Sequence, residues 1–484
     1  MSETKKKKIK TAGEVYTPAH IVSLMLDEIG YNGETVSQKH IIDNSCGDGA
    51  FLMQIVERYI KNCPSTNDIK NELETYIHGI EIDKTAYKNC IKNLDAVAEK
   101  HGITSVNWDV INEDTLKVSK YDGEMDFVVG NPPYIRVHNL NSNYKSVKKF
   151  EFANGGMTDI YIVFFEIGLR MMNGEGRMCL ITPSSFYSSL AGKNLRKYII
   201  ENKNLNQIID LGHYIPFENI TTYTAITLFE MGKKFKQVLC YKLNEKGKQK
   251  IDAKNYDNLF INKNIVLGNN KENEWLSEIE WNYENARDHK ISVKNGFATL
   301  ADSVFMGDID FEDDLIIDCF KASRAKWTKC IFPYMYPGKL LSLKDLKLGH
   351  PKTYNYLYER ITRLTDRDIE NRNDWFAFGR SQAINDVYKD KISINTIIRD
   401  VDSIKINNVP KGKGIYSGLY ILSQHSVSDI ETVLKTDDFI KYISLLKKYK
   451  SSGYYTFSSK DLEKYLVYKL KGDGYEQQRF SISN

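Results

Sequence analysis

The stretch IIDNSCGDGAFL, residues 41–52, decides how the first half of the chain is built. Ile41, Ile42 and Asp43 read as the end of a buried strand. Gly47 and Gly49 make a tight turn, and Ala50 opens a helical run that continues to Lys61. Strand, glycine turn and helix in that order bring the unpaired N–H groups of a helix N-terminus beside a backbone that a ligand can approach closely. The third glycine of a dinucleotide fingerprint is replaced by Leu52, so the loop suits a nucleoside better than a pyrophosphate. A lone G-x-G turn is common, and its meaning comes from what surrounds it.

Around this stretch, short apolar runs alternate with helical ones. His40–Asp43, Tyr76–Asp83, Met125–Val129, Arg177–Thr182, Gln207–Leu211 and Thr224–Glu230 are predicted strands, with Ala50–Lys61 and Lys84–Lys100 among the predicted helices. Strands spaced by helices predict an α/β fold with a mostly parallel sheet. The last two strands have no helix between them, which predicts an antiparallel pair at one sheet edge.

Three further segments fit a ligand at the strand ends. In IHGIEID, residues 77–83, Glu81 ends a strand, where a carboxylate can accept from both hydroxyls of a ribose. In NEDTL, residues 112–116, Asp114 can accept from an exocyclic amino group and Leu116 can pack on a ring. In MDFVVGNPPYIRV, residues 125–137, an apolar strand runs into Asn131, Pro132, Pro133 and Tyr134. Two prolines stiffen that loop and remove two backbone donors. Asn131 adds a carbonyl and Tyr134 a flat π-face, so the loop offers rigid acceptors beside a stacking platform, suited to a planar group bearing an NH₂.

In this order the motifs resemble those of S-adenosylmethionine-dependent N6-adenine DNA methyltransferases, and more narrowly the gamma-class, TaqI-like methylases of type II restriction–modification. The resemblance covers residues 13–231 closely and 285–410 more loosely. It implies a Rossmann-like, doubly wound class I methyltransferase sheet followed by a mixed α+β target recognition domain. A further family motif is matched by GEVYTPAHIVSLML, residues 13–26. There Thr17 is expected to cap a helix with Pro18 at its first position, and Ile21, Met25, Leu26 and Ile29 share one face.

By the resemblance, Tyr16, Thr17 and Pro18 wall the methionine end of the cofactor S-adenosyl-L-methionine. Asp43, Cys46, Gly47 and Gly49 form its loop, Glu81 holds the ribose, Ile82 packs on the adenine ring, and Asp114 and Leu116 complete that pocket. Asn131, Pro132, Pro133 and Tyr134 are the expected catalytic set, with Asn131 also at the cofactor. Tyr134 and Phe217 are expected to sandwich a flipped-out adenine, with Tyr223 as the alternative to Phe217. Position 45 is serine where the family usually has alanine, and position 44 is asparagine where proline is common.

The chain holds 484 residues, enough for two or three domains. The expected division is a basic flexible tail over 1–12, a catalytic domain over 13–232, a sheet-edge extension and linker over 233–284, and a DNA target recognition domain over 285–484. Between 321 and 412 there are 18 Lys and Arg against 10 Asp and Glu, a net of +8, while the whole chain carries +4. A basic segment on a near-neutral body suits a polyanion. NGFATLADSVF, 295–305, and WFAFGRSQ, 375–382, resemble segments of recognition domains, and Lys339, Arg380, Gln382 and Arg399 are candidate DNA contacts.

The hydrophobic fraction of 42% excludes a mostly disordered chain, and no apolar run of about 18 residues is present. Seven scattered cysteines, without C-x-x-C or zinc spacing, predict reduced thiols in a cytoplasmic, nucleoid-associated protein with no metal site. The expected partners are double-stranded DNA and a separately encoded cognate restriction endonuclease, with no membrane, and a monomer is expected rather than a dimer. A fused nuclease is not expected. The alternatives are a protein glutamine methyltransferase, whose extra domain precedes the cofactor loop, and an rRNA base methyltransferase. Both share the NPPY loop.

Overall fold

The computed structural model describes residues 16–63, 68–135, 147–154, 158–217, 222–286, 290–309, 313–369 and 371–470. The predicted tail over 1–12 lies outside the described residues. The chain divides into two compact units, Met1–Glu274 and Trp275–Asn484.

The first unit is built on one nine-stranded sheet. Its strands are β1 (Ile41–Asp43), β2 (Ile77–Ile80), β3 (Asp109–Ile111), β4 (Met125–Gly130), β5 (Met172–Pro183), β6 (Leu205–Asp210), β7 (Thr224–Glu230), β8 (Gln237–Asn244) and β9 (Gly247–Asn255). They lie in the order β3-β2-β1-β4-β5-β7-β6-β8-β9. The first five are parallel neighbours, and β7 runs antiparallel between β5 and β6. The antiparallel β6–β7 pair is therefore present, but it is not the sheet edge. The edge is supplied by β8, parallel to β6, and β9, antiparallel to β8.

Strands covered on both faces read as continuous apolar runs, and their alternate residues feed two cores. Ile41, Phe127, Val129 and Ile209 enter one; Ile42, Val128 and Ile208 enter the other. The first core is closed by α1 (Ala19–Ile29), α2 (Ala50–Asn62), α3 (Ile69–Tyr76) and α4 (Lys84–Glu99). The second is closed by α5 (Ile160–Met171), apolar on nearly all sides and almost wholly buried, and by α6 (Lys193–Asn202). Ile21, Met25, Leu26 and Ile29 are buried along one face of α1, as their spacing predicts. The capping reading needs correction: Pro18 is the N-cap residue and no side chain caps the helix. The Thr17 hydroxyl is engaged elsewhere.

The second unit holds two four-stranded sheets. One is antiparallel and joins Ile291–Asn295, Leu419–Ser423, Lys391–Ile394 and Ile406–Val409 in that order. The other joins Met306–Gly307, Lys326–Ile331, Ile316–Lys321 and Gly414–Tyr416. Three helices follow, Val427–Leu434, Asp437–Leu445 and Ser459–Lys469, the first and last closed by reciprocal capping boxes at Ser426 and Ser458. All seven cysteines are free and buried. Among the described residues no helix is long and apolar enough to cross a membrane.

Candidate active site

Four adjacent parallel strands deliver their carboxyl ends side by side. Asp43 closes β1, Glu81 follows β2, Asp114 stands shortly after β3, and Asn131 follows β4. From β1 the chain continues to β2 on one side, while β4 lies on the other, so the sequence order reverses between β1 and β4. In an open α/β sheet that reversal leaves a crevice at the strand ends, the usual place for a ligand.

The loop after β1 is held from several directions. Gly47 and Gly49 have φ of 55° and 94°, which favours glycine at both. A Cβ on Gly49 would lie 2.9 Å from Cys90 Sγ, whereas one on Gly47 would meet nothing within 4 Å. Gly47 therefore borders open space. Its N–H donates to Glu81 Oε2 at 2.8 Å, and the Asp83 N–H donates to Glu81 Oε1 at 2.6 Å. Two backbone donors thus orient the carboxylate between the loops after β1 and β2. Asn112 supports the same corner, donating to the carbonyls of Glu81 and Ile82 at 2.8 and 3.2 Å. Beside buried Glu81, Ile82 is 63% exposed, an apolar surface at the mouth of the crevice.

Asp43 is fully buried and accepts from the Ser45 N–H at 3.1 Å. Burial, with Glu81 nearby adding to it against the Ser45 bond, pushes its carboxyl up to about 7. The Cys46 thiol is held well above its ordinary value by its hydrogen bond with Cys90 and by burial, so it stays protonated. Asp114 caps its own turn through the Leu116 N–H at 3.1 Å and lies 3.6 Å from Lys117 Nζ, and Leu116 is buried in the second core.

The Asn131–Tyr134 loop leaves β4 at the reversal point. Gly130 precedes it because a side chain has no room: a Cβ would stand 2.7 Å from Asp43 Oδ1. Asn131 Nδ2 donates to Thr17 Oγ1 at 3.0 Å, and Ser45 Oγ donates to the Asn131 carbonyl at 3.5 Å. The segment before α1, the loop after β1 and the loop after β4 thus meet at one asparagine. Pro132 is buried, and Pro133 and Tyr134 are half-buried. The Tyr134 hydroxyl donates to the Ile181 carbonyl at 3.3 Å, fixing the ring, and burial keeps its phenol well above its ordinary value, hence neutral.

The structure brings Thr17, Asp43, Gly47, Glu81 and Asn131 together as one contact network. Tyr16 is exposed, and Pro18 starts α1 through its carbonyl, which accepts from the Ile21 and Val22 N–H groups. Phe217 is 5% exposed, packed in the first core, and Tyr223 is half-buried, edge-on to His213 at 5.4 Å. Sequence reasoning missed Ser45, Asn112 and Gly130. Their signal was their place inside the quoted motifs, at 41–52, 112–116 and 125–137.

Residues 26–217 match the family described as Eco57I restriction-modification methylase. These residues form an Eco57I-type methylase domain. The match runs from the C-terminal part of α1 to Phe217 and includes every strand-end residue of the crevice. The chain is 28% identical to the type II methyltransferase M.BstVI of Geobacillus stearothermophilus, over 75% of this chain and 73% of that protein. It is 24% identical to the type II restriction enzyme and methyltransferase RM.Eco57I of Escherichia coli, over 81% of this chain but only 50% of that one. In fold it is similar to the type IIL restriction-modification enzyme MmeI solved with DNA, with a TM-score of 0.60 at 11% identity over 95% of this chain and 66% of that one. It is also similar to the DrdV–DNA complex, with a TM-score of 0.53 at 13% identity over 86% and 50%. The chain thus spans half to three quarters of the length of these relatives. The methylase domain carries the open, mostly parallel α/β sheet that the motif order implied.

Proposed function

We propose that the chain is a site-specific DNA methyltransferase that moves the methyl group of S-adenosyl-L-methionine to N6 of an adenine rotated out of duplex DNA. The observation that carries this reading is the junction at Asn131. An NPPY loop leaves the sheet at the reversal point and is tied to Thr17 and Ser45, within one contact network of the Asp43–Glu81 corner.

The crevice fits the cofactor. Gly47 faces open space, Ile82 offers an exposed apolar surface for a ring, and Glu81 is a backbone-oriented acceptor beside it. The buried Asp43 carboxyl, raised by burial and by Glu81, marks a place where a cationic ligand is favoured. S-adenosyl-L-methionine supplies a methyl group on a positively charged sulfur. Glu81 would hold its ribose, Gly47 and the Asp43 corner its methionine part, and Ile82 its adenine.

The protein's own contribution is positioning and electrostatics. The Asn131 side-chain oxygen and the Pro132 carbonyl accept from the N6 amino group and aim its lone pair toward the crevice. Tyr134 lies on one face of the base and Phe217 on the other. Stacking of roughly 1–3 kcal/mol per aromatic offsets an unstacking cost of a few kcal/mol. Direct transfer would form the C–N bond as the methyl–sulfur bond breaks with its electron pair left on sulfur as a neutral thioether, and the surplus N6 proton would leave to water, so no enzyme nucleophile is needed.

The second unit, with its basic segment 321–412, is the proposed reader of the sequence. Lys339, Arg380, Gln382 and Arg399 are all exposed there. Arg399 is paired with Asp400 at 2.9 Å, and Gln382 donates to the Gly296 carbonyl at 3.1 Å, which leaves Lys339 and Arg380 as the stronger DNA-contact candidates. The test is sequencing of host DNA expressing the chain for N6-methyladenine in one sequence context. Asn131→Ala and Tyr134→Ala should nearly abolish the mark while cofactor binding persists, and full turnover by Tyr134→Ala would refute the assignment.

A further inference from the structure

The second unit carries a short hairpin that the proposed chemistry does not use. Tyr334–Met335 and Lys339–Leu340 pair antiparallel around Tyr336, Pro337 and Gly338. Its inner side is pinned. The buried Tyr334 hydroxyl accepts from the Phe378 N–H at 2.7 Å, and the Gly338 N–H donates to the Met335 carbonyl at 2.6 Å. Asn385 abuts the turn so closely that a Cβ on Gly338 would lie 1.8 Å from its Oδ1.

The outer side is bare. Met335 is 50% exposed and Tyr336 76%, the latter leaning edge-on to Tyr388 at 5.0 Å. Scattered exposed apolar residues are ordinary. This tip differs in its rigid mounting and in its charge. Residues 334–352 contain Lys339, Lys344, Lys347 and Lys352 against one acid, Asp345, whose carboxylate accepts from the Ser342 hydroxyl at 2.6 Å. Lys339 is exposed and in no ion pair among the described residues. The same holds for Arg380, two residues beyond the Phe378 that anchors the hairpin.

We propose that this hairpin is a finger for duplex DNA, with Lys339 on a backbone phosphate and Tyr336, beside Met335, against the sugar and base edges of the adjoining groove. A duplex is the polyanion that sets phosphates beside sugars and the partly apolar base edges of a groove, which matches a cation beside an exposed ring. Because the hairpin backbone is already fixed, little order is lost on contact. The inference rests on the DNA-methyltransferase reading and adds to it the element that meets the duplex.

The test uses the full chain and a labelled duplex bearing the methylated context, titrated from about 50 to about 200 mM salt. Tyr336→Ala should weaken binding about tenfold at every salt concentration with an unchanged salt slope, and Tyr336→Phe should bind as the parent does. Lys339→Ala should lower the slope by about one. Melting temperatures should not move, since both side chains are exposed. If Tyr336→Ala melts early, the Lys339→Ala slope decides. Parent-like affinity of a folded Tyr336→Ala, or an unchanged Lys339→Ala slope, would overturn the finger while leaving the methyltransferase reading intact. A Tyr336→Ala chain with normal DNA affinity but altered sedimentation would make the tip a protein contact instead. A parent chain that binds no duplex would sink both readings.

Discussion

Replacing Gly130 by alanine tests whether the strand ends and the Asn131–Tyr134 loop share one geometry. The new Cβ would stand 2.7 Å from Asp43 Oδ1, where ordinary contact begins at 3.4 Å, so about 0.7 Å must open between β1 and β4. Asp43 is buried and bonded to the Ser45 N–H, so it yields poorly. Gly130 is the residue before Asn131, and its displacement carries the amide with it. A 1 Å misplacement of reacting groups can cost about a hundredfold in rate, so turnover should fall roughly ten- to a hundredfold. Overpacking should also lower stability by about 1–3 kcal/mol. Gly174→Ala is the control, because a Cβ there meets nothing within 4 Å. Single-turnover methylation and thermal melting of both variants read the result. A Gly130→Ala protein with turnover within about twofold of the parent would refute the reasoning.

Glu81→Ala removes a charged acceptor oriented by two backbone donors, and cofactor affinity should fall about 10–150-fold by calorimetry; an unchanged dissociation constant takes Glu81 out of the site. The Asp43 carboxyl, raised to about 7, makes the cofactor-free protein less stable as pH climbs from the ordinary carboxylate range to about 7, with the loss complete above that. Asp43→Asn should flatten the dependence of melting temperature on pH between about 4 and 7, and a parent chain already flat there would contradict the shift. Phe217→Leu should keep the core and cofactor binding yet lower DNA methylation about tenfold, whereas full activity would leave Phe217 a core residue only.

The methylase domain was legible because its strands are buried on both faces and read as apolar runs ending at acidic or amide residues. β3 was not, since Asp109–Ile111 is three residues long with only Val110 buried. β5 begins at Met172, six residues before its apolar stretch at Met178, through half-buried Asn173 and exposed Gly174 and Glu175, which give no strand signal. Thr17 meets Asn131 for a reason no local pattern gave, because a hydroxyl expected to cap α1 is taken by an asparagine 114 residues away. The second unit resisted reading for a related reason. Its strands are two to six residues long, and Ile291–Asn295 pairs with Leu419–Ser423, a register that no local pattern announces.

The Thr17–Asn131 bond also sets a clock on synthesis. Thr17 leaves the ribosome ahead of a partner 114 residues behind it and waits roughly 6–23 s at about 5–20 residues per second. Until β4 and its loop emerge, the nascent chain can begin the crevice at the ends of β1 and β2 but lacks the amide that the proposed mechanism sets against the base. Fragments that stop short of Asn131 would therefore be chemically silent toward DNA, and the protein becomes competent to mark a genome only once that stretch has been translated and docked.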